Sequence, residues 1–387
     1  MRWVNKGEEL KTYQLQQPES EKFYVFGAGD IGRGLYVTLS HFEMFAGFVD
    51  NNVQKQDSGF CGQPVHSYQW FLENGNDGTL VIAANEANEK EISKQLQENN
   101  CKYYLSGIFL HKILPLLLFQ KKDLLFMNLA QICVTERCTL NCAKCAHGCW
   151  AVSKNAEDMK LEDVYVSADS LFSKIDYIHE FVLIGGEPLL YGQLKEAVEY
   201  VGERYRDKMG TFSITTNGTI MPYQELLDCC KKYRVLFRIS NYVKTIPALR
   251  GQYDKLEKTF KKAGVEYYLG KAEEVWWDYG FSDTLQEEST EQLIRKFDQC
   301  MTPCRETRNG RLYYCVMART VSDNLGFHIG EDDFLDLRAL PGGDLGRRIL
   351  LEYNLGYSDK GYLEMCARCR GKECRNYPVM AAEQLRY

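Results

Sequence analysis

The sequence predicts an α/β protein in three parts: an N-terminal parallel sheet (residues 1–125), a central partial (β/α)6 barrel (residues 126–290) and a small cysteine-rich C-terminal domain (residues 291–387). The first observation behind this is that short apolar runs, typical of buried strands, alternate with amphipathic stretches at helical spacing. The second is that many of the 15 cysteines fall into two groups, one near the middle of the chain and one near its end. The third is length, since 387 residues suffice for two or three cores.

Composition excludes several classes of protein. The formal net charge is −6, so no strongly basic surface is expected and nucleic acid is not a predicted partner. Residues 1–17 are polar and charged, and we expect no signal peptide. The most apolar run, residues 113–119, contains Pro115 and is much shorter than the roughly 20 residues that cross a bilayer. We therefore expect no membrane span.

A glycine-rich turn follows the first apolar run of the N-terminal part. Residues 23–26 are apolar, and a GxGxxG pattern comes directly after them. A second apolar run, residues 46–49, ends in Asp50, 18 residues after the last glycine. This order is typical of a Rossmann-like domain, in which glycines allow close approach to a phosphate and the acid holds ribose hydroxyls. The candidate nucleotide-binding residues are Gly27, Gly29, Gly32 and Asp50.

Two interpretations of this domain stay open. Residues 47–52 and 62–65 resemble the nucleotide-sugar-binding domain of sugar acetyltransferases, which implies a nucleotide or nucleotide-linked ligand. The alternative is a Rossmann-like module that only docks or oligomerises, because a fold does not fix a function.

Three cysteines at C-x3-C-x2-C spacing follow the strand-like residues 131–135: Cys138, Cys142 and Cys145. One short loop can fold three thiolates around a single metal centre. Structural zinc and closed [4Fe–4S] clusters take four protein ligands, whereas three leave one iron open to a small molecule. The alternative is a chance spacing among scattered metal-binding or redox cysteines.

Three further motifs follow apolar runs downstream, at residues 184–188, 215–218 and 239–242. In this order the four motifs resemble those of the radical S-adenosylmethionine (SAM) family. The resemblance implies a partial (β/α)6 barrel with its site at the C-terminal ends of the strands. It also implies a [4Fe–4S] cluster on the three cysteines, with SAM bound at the open iron.

The resemblance also implies roles for single residues. Gly185, Gly186 and Glu187 would bind SAM, with the Glu187 carboxylate accepting a hydrogen bond from its ammonium group. Asn217 and Ser240 would contact its carboxylate or ribose, although both could equally cap their strands. Many members carry an aromatic residue just before the third cysteine, where this chain has Lys144.

Two residues beside the cysteine motif have more than one interpretation. His147 is expected to support the cluster by a hydrogen bond rather than act as a base. Cys149 is either a packed thiol or, in an epimerase, a hydrogen-atom donor, and it is the candidate catalytic residue.

The second group comprises Cys300, Cys304 and Cys315, followed by a C-x2-C-x4-C run from Cys366 to Cys374. This pattern resembles the SPASM and twitch extensions of radical SAM enzymes, which hold auxiliary [4Fe–4S] clusters. Six cysteines cannot complete two four-cysteine clusters, so one auxiliary cluster is expected. A zinc site is the alternative. The preferred ligands are Cys304, Cys315, Cys366 and Cys369, with Cys300 and Cys374 as alternates.

The resemblance as a whole implies an enzyme that cleaves SAM reductively to a 5′-deoxyadenosyl radical and removes a hydrogen atom from its substrate. A sugar, polyol or nucleotide-linked substrate, dehydrogenated or epimerised, is preferred. One alternative is a SPASM-type maturase of a ribosomally made peptide, and another is a non-catalytic iron–sulfur module. An electron donor such as flavodoxin or ferredoxin would be required. An oxygen-sensitive cluster predicts a reducing compartment, the cytoplasm.

Overall fold

The computed structural model describes residues 1–11, 21–75, 78–152, 155–272, 275–280, 287–300, 302–371 and 378–385. The chain divides into two compact units: Tyr13–Leu124, and Met1–Thr12 together with Leu125–Tyr387. Within the described ranges, no helix is both long enough and apolar enough to cross a membrane.

The smaller unit is built on five parallel strands. They are β1 (Phe23–Phe26), β2 (Phe45–Val49), β3 (Val65–His66), β4 (Thr79–Ile82) and β5 (Tyr103–Leu105). Their order in the sheet is β3-β2-β1-β4-β5, which is the order of a mononucleotide-binding half of a Rossmann fold extended by neighbouring strands. The core of this unit is apolar, with Phe26, Val49 and Ile82 at most 1% exposed.

Helices connect these strands: α1 (Asp30–His41), α2 (Val53–Ser58), α3 (Tyr68–Asn74), α4 (Glu86–Glu98), α5 (Ser106–Ile108) and α6 (Leu114–Lys122), with a π-helical turn at Phe109–Ile113. Polar residues cap the N-termini of three of these helices. Asn52, Ser67 and Asn85 each accept a hydrogen bond from a backbone N–H three residues later, which satisfies a donor that has no partner within the helix.

The larger unit contains the predicted partial barrel. Its parallel strands in chain order are β6 (Phe126–Thr135), β7 (Tyr177–Gly185), β8 (Met209–Thr216), β9 (Val235–Ile239) and β10 (Tyr267–Leu269). The helices between them are α7 (Leu161–Phe172), α8 (Leu194–Tyr205), α9 (Gln224–Lys232) and α10 (Arg250–Ala263). This regular alternation confirms the predicted α/β class.

The C-terminal part adds three strands to the same sheet, together with helices and a separate pair of strands. They are β11 (Val275–Trp277), α11 (Thr290–Gln299), β12 (Cys304–Arg308), β13 (Arg311–Tyr313), α12 (Val316–Leu325), β14 (Phe334–Asp336), α13 (Gly343–Asn354) and β15 (Pro378–Met380). The sheet order is β10-β9-β8-β7-β6-β12-β13-β14, with β12 parallel to β6, while β11 and β15 form a separate antiparallel pair.

Two predicted domain boundaries differ from this arrangement. Residues 291–387 share the sheet of residues 126–290 because β12 pairs with β6. Residues 1–12 belong to the larger unit rather than to the N-terminal part. The buried Glu352 carboxylate explains this placement, since it accepts hydrogen bonds from the Trp3 indole (2.7 Å) and from the backbone N–H groups of Gly7 (2.6 Å) and Glu9 (2.8 Å).

Candidate functional site

The three cysteines of the C-x3-C-x2-C motif lie in the loop that follows β6. Together with the C-terminal ends of β7, β8 and β9, this loop surrounds a cavity of about 360 Å³. Cys138, Cys142 and Cys145 all line it, and their thiols are close enough to affect one another electrostatically. The volume falls at the lower end of the range of small-molecule sites. The site therefore lies at the rim where parallel α/β barrels carry their chemistry.

Two glycines at the end of β7 let the cysteine loop approach. The backbone N–H of Gly186 donates to the carbonyl of Thr135 (2.8 Å), and that of Glu187 donates to the carbonyl of Arg137 (2.8 Å). A Cβ on Gly185 would lie 2.5 Å from the Thr135 oxygen, and one on Gly186 would collide with the Arg137 oxygen and lie 2.9 Å from the Cys138 Cβ. Any other residue type here would displace the loop.

Glu187 is fully buried, and its carboxylate is held by the chain itself. It accepts hydrogen bonds from the Thr216 hydroxyl (2.8 and 3.0 Å) and from the backbone N–H groups of Asn217 (2.8 Å) and Leu189 (3.1 Å). Burial raises the pKa of Glu187 to about 7, although these hydrogen bonds favour the charged form. Glu187 thus joins the ends of β7 and β8, a role that the sequence motif does not reveal.

Asn217 and Ser240 both line the cavity. The Asn217 side-chain amide donates to the Thr139 hydroxyl (3.0 Å) and to the Cys138 Sγ (3.6 Å), so it contacts the cysteine loop directly. The carbonyls of Asn217 and Ser240 both accept from the Tyr253 hydroxyl, at 3.2 and 2.9 Å. The two residues end their strands and also face the site.

The three thiols differ in their surroundings. Burial raises the pKa of Cys138 to about 11 and that of Cys142 to about 12. The pKa of Cys145 is lowered to about 7, chiefly because the Cys149 thiol donates a hydrogen bond to it. Since a metal binds the thiolate, loading the first two positions has to release protons near neutral pH.

Cys149 lies behind Cys145 rather than in the cavity. It is 2% exposed, and its Sγ lies 3.8 Å from the Glu136 carboxylate. Cys149 is not among the described residues that line the cavity. Its surroundings fit a packed thiol better than a hydrogen-atom donor to a substrate.

A buried polar network behind the cysteine loop was not predicted from the sequence. Arg319 on α12 forms ion pairs with Glu136 (2.9 Å) and Glu306, and the Asn324 amide donates to Glu136 (3.2 Å) and to the His147 carbonyl (2.7 Å). Burial opposes the charge of Glu136, but Arg319, His147 and the Asn324 hydrogen bond together outweigh burial and lower the pKa of this carboxyl. The contact joins residues 183 positions apart, so no local pattern could indicate it.

Potential ligand atoms of Cys133, Glu136 and His147 within this network lie within 4.8 Å of one another. The Glu136 carboxylate already accepts a hydrogen bond from the Arg319 guanidinium, and the Cys133 thiol donates to the same carboxylate (3.4 Å). Glu136 is thus shared by donors that support the loop, whereas the buried Nδ1 of His147 has no hydrogen-bond partner among the described residues.

Aromatic side chains cover the other side of the cavity. Trp276, Trp277 and Tyr279 line it, as does Tyr242, whose ring lies edge-on to that of Trp276 with centroids 5.6 Å apart. Lys144 pairs with the buried Asp278 (3.0 Å), which ties the cysteine loop to the segment after β11. The residue that departs from the family pattern therefore has a structural partner.

The cysteines predicted near the C-terminus have two kinds of surroundings. Burial raises the pKa of Cys315 and Cys366, and each is raised further by Cys300 and Cys369. Cys304 instead begins β12 beside Leu129 of β6, and the charged groups that act on its pKa are Arg305, Glu180 and Glu306. By these electrostatic effects Cys300, one of the two alternates, groups with Cys315, Cys366 and Cys369. The alternate Cys374 lies outside the described residues.

In the smaller unit the glycine turn has the predicted form. Gly27 has a φ of +122°, and a Cβ on Gly32 would collide with the Gly27 carbonyl, whereas Gly29 faces open space. The Asp50 carboxylate accepts from the N–H groups of Ala28 (2.8 Å) and Asn52 (2.9 Å) and pairs with Lys55 (2.9 Å). Three of the roughly four acceptor positions of this carboxylate are therefore already taken.

Comparison with known proteins agrees with the motifs. Residues 132–272 match the radical SAM superfamily, and this part of the chain is a radical SAM domain. A domain of this class binds a [4Fe–4S] cluster and SAM, and the three cysteines, the open cavity and the glycine contacts described above fit both. No curated protein matches the sequence.

Similar solved structures include anSMEcpe with bound AdoMet and Cp18Cys peptide (19% identity, 37% of this chain and 42% of that chain, TM-score 0.31). Others are Streptococcus suis SuiB bound to S-adenosylmethionine (17%, 56% and 49%, 0.31) and BtrN in complex with AdoMet and 2-DOIA (16%, 67% and 98%, 0.41). The chain spans less than half the length of the first two proteins.

Proposed function

We propose that this chain is a radical SAM enzyme that removes a hydrogen atom from a sugar, a polyol or a nucleotide-linked substrate, leading to dehydrogenation or epimerisation. The observation that carries the proposal is the convergence of three cysteine thiols on a cavity at the C-terminal ends of the barrel strands. Three thiolates leave one iron of a [4Fe–4S] cluster open for SAM.

The chain's own residues position this chemistry. Cys138, Cys142 and Cys145 would hold the cluster, and Gly185 and Gly186 keep the loop against β7. The Asn217 amide donates to the Cys138 sulfur. When bound, the cluster and SAM supply reductive cleavage of SAM and a carbon radical that removes a hydrogen atom. The protein's contribution is to orient the reacting carbon and to exclude water.

The lining of the cavity supports a small polar ring as substrate. Trp276, Trp277 and Tyr279 offer aromatic faces on which a sugar or base can stack, while Asn217 and Ser240 offer polar groups. The Rossmann-like strand order of the smaller unit supports a nucleotide-linked ligand, although Asp50 already has partners in the chain.

A second, auxiliary [4Fe–4S] cluster is part of the proposal. Its ligands would be Cys300, Cys315, Cys366 and Cys369, which act on one another electrostatically. Such a cluster could accept an electron from the substrate radical, which would favour dehydrogenation over epimerisation. A low-potential donor such as flavodoxin or ferredoxin would reduce the enzyme, and a reducing compartment such as the cytoplasm would protect both clusters.

Product analysis tests the substrate class. Anaerobically reconstituted and reduced protein is incubated with SAM and either UDP- and CDP-linked sugars, free sugars and polyols, or peptides. We expect 5′-deoxyadenosine formation to rise with a sugar or polyol and a product two mass units lighter, or an epimer, to appear. A modified peptide as the only product would instead identify a maturase. SAM cleavage without any substrate conversion would contradict the proposed substrate class.

A further inference from the structure

The end of the C-terminal segment, residues 383–385, pairs with the cysteine loop in a single antiparallel bridge. The backbone N–H of Ala143 donates to the Glu383 carbonyl (2.7 Å), and that of Leu385 donates to the Asn141 carbonyl (2.8 Å). Cys142 and Gln384 are partners in this antiparallel bridge. Residues more than 240 positions apart in the chain thus meet at a single cluster cysteine.

The side chain of Gln384 makes two contacts with this loop. Its Oε1 accepts from the Asn141 backbone N–H (2.8 Å), and its Nε2 donates to the Cys142 Sγ (3.2 Å). The first contact fixes the orientation of the amide, because a backbone N–H needs an oxygen opposite it. The amide nitrogen is therefore the atom that faces the sulfur.

The rest of the C-terminal segment holds Gln384 in place. β15 pairs with β11, the strand whose tryptophans line the cavity, and the Thr245 hydroxyl donates to the Ala381 carbonyl (2.6 Å). Ala381 and Ala382 are buried, and the Gln384 amide also donates to the Ala382 carbonyl (2.7 Å). These contacts hold the amide beside the Cys142 sulfur.

The other two cluster cysteines obtain their hydrogen bonds differently. Cys138 Sγ accepts from the Leu140 N–H (3.5 Å) and the Asn217 amide (3.6 Å). Cys145 accepts from backbone N–H groups of its own loop, those of His147, Gly148 and Cys149. Only for Cys142, among the described contacts, does the donor come from the C-terminal end of the chain.

We propose that Gln384 is a positioning residue of the SAM-binding cluster, which holds Cys142 and raises the reduction potential of the cluster through its N–H···S hydrogen bond. The proposal rests on the proposed function. Hydrogen bonds to cluster sulfurs are among the factors that set these potentials, and groups next to metal ligands orient them. Reduction adds one electron to the cluster, and a donor at the sulfur stabilises that added negative charge.

Two variants separate this role from general packing. Gln384→Glu keeps an oxygen for the Asn141 N–H but loses the donor to sulfur, and Gln384→Leu loses both. The control is Glu383→Gln, because Glu383 contacts the loop through its backbone carbonyl while its side chain is exposed. The readouts are iron content and the midpoint potential of the EPR signal that changes when SAM is added, measured in the full-length protein.

We expect both Gln384 variants to make this cluster harder to reduce, by about tenfold in the one-electron equilibrium, or about 59 mV. Glu383→Gln should match the wild type. Selective loss of about four irons from the Gln384 variants would also support the positioning role. An unchanged potential and iron content in both variants would overturn the inference and leave the proposed function intact. A wild-type protein without any SAM-responsive signal would instead contradict the proposed function itself.

Discussion

Buried carboxylates tie neighbouring strand ends together in both units of the chain. Glu187 joins β7 to β8 through three donors, and Asp50 joins the glycine turn to the residues after β2 through two backbone N–H groups and Lys55. An unpaired buried donor costs more than a hydrogen bond gains, so removing such an acceptor is expensive. Both residues stand in motifs that suggested ligand contacts, and in both the structure shows contacts within the chain.

The first prediction concerns Asp50. Asp50→Ala should destabilise the smaller unit by about 1–3 kcal/mol at neutral pH, because it leaves the N–H groups of Ala28 and Asn52 without acceptors. Although burial opposes the charge of Asp50, its hydrogen bonds and Lys55 lower its pKa. The contribution is therefore complete above the ordinary carboxyl pKa and is lost as pH falls through the lowered one.

Hydrogen–deuterium exchange of peptides from β1 and β2 measures this effect. At pH 7 these peptides should exchange faster in Asp50→Ala than in the wild type, and this difference should shrink in acid. The exposed Asp57 on α2 provides the control, as Asp57→Ala should change little. Equal exchange in wild type and Asp50→Ala would mean that the carboxylate is free for a ligand after all.

A second prediction separates two cysteines four positions apart. Cys300 acts electrostatically on Cys315, Cys366 and Cys369, whereas Cys304 lies beside Glu180, Arg305 and Glu306. With two [4Fe–4S] clusters loaded, the wild type should hold about eight irons, and Cys300→Ala should lose about four. Cys304→Ala should retain the wild-type amount. Iron analysis with Mössbauer spectroscopy decides the matter, and the reverse pattern would restore Cys304 as a ligand.

At the scale of elements, the site depends on how closely the cysteine loop approaches the end of β7. Two backbone hydrogen bonds, each 2.8 Å long, join the cysteine loop to the end of β7, where glycines allow the two backbones to meet directly. Arg137 secures the start of the loop through a two-pronged ion pair with Asp158 (2.8 and 2.6 Å), and the C-terminal segment covers Cys142. The loop is thus fixed by three separate parts of the chain.

The third prediction tests this close approach. Gly186→Ala should cost about 1–3 kcal/mol, since its Cβ would collide with the Arg137 carbonyl and crowd Cys138. The displaced loop should also lose the iron of the first cluster. Gly192→Ala is the matched control because its Cβ would meet open space. Full iron content and unchanged denaturant unfolding in Gly186→Ala would show that the loop tolerates a wider gap.

At the scale of the molecule, local patterns predicted the strands, the glycine turn and the cysteine loop, because each depends on residues close together in the sequence. Three features could not be predicted this way. β12 adds to the sheet beside β6 from about 175 residues away, Cys300 acts on the pKa of the distant Cys366 and Cys369, and Gln384 reaches Cys142. Each depends on contacts between distant segments. Neither residue spacing nor hydrophobic periodicity indicates which part of the fold a later segment will join.

Formation of 5′-deoxyadenosine from SAM is the measurement that tests the central claim most directly. Reduced, reconstituted wild-type protein should form it, and the variant with Cys138, Cys142 and Cys145 all replaced by Ala should form none and hold about four fewer irons. Cys101→Ala, a change to a cysteine of the smaller unit, should leave both quantities unchanged. Reductive cleavage of SAM by the triple variant would contradict the account, since the three thiols at the cavity would then not hold the cluster that performs it.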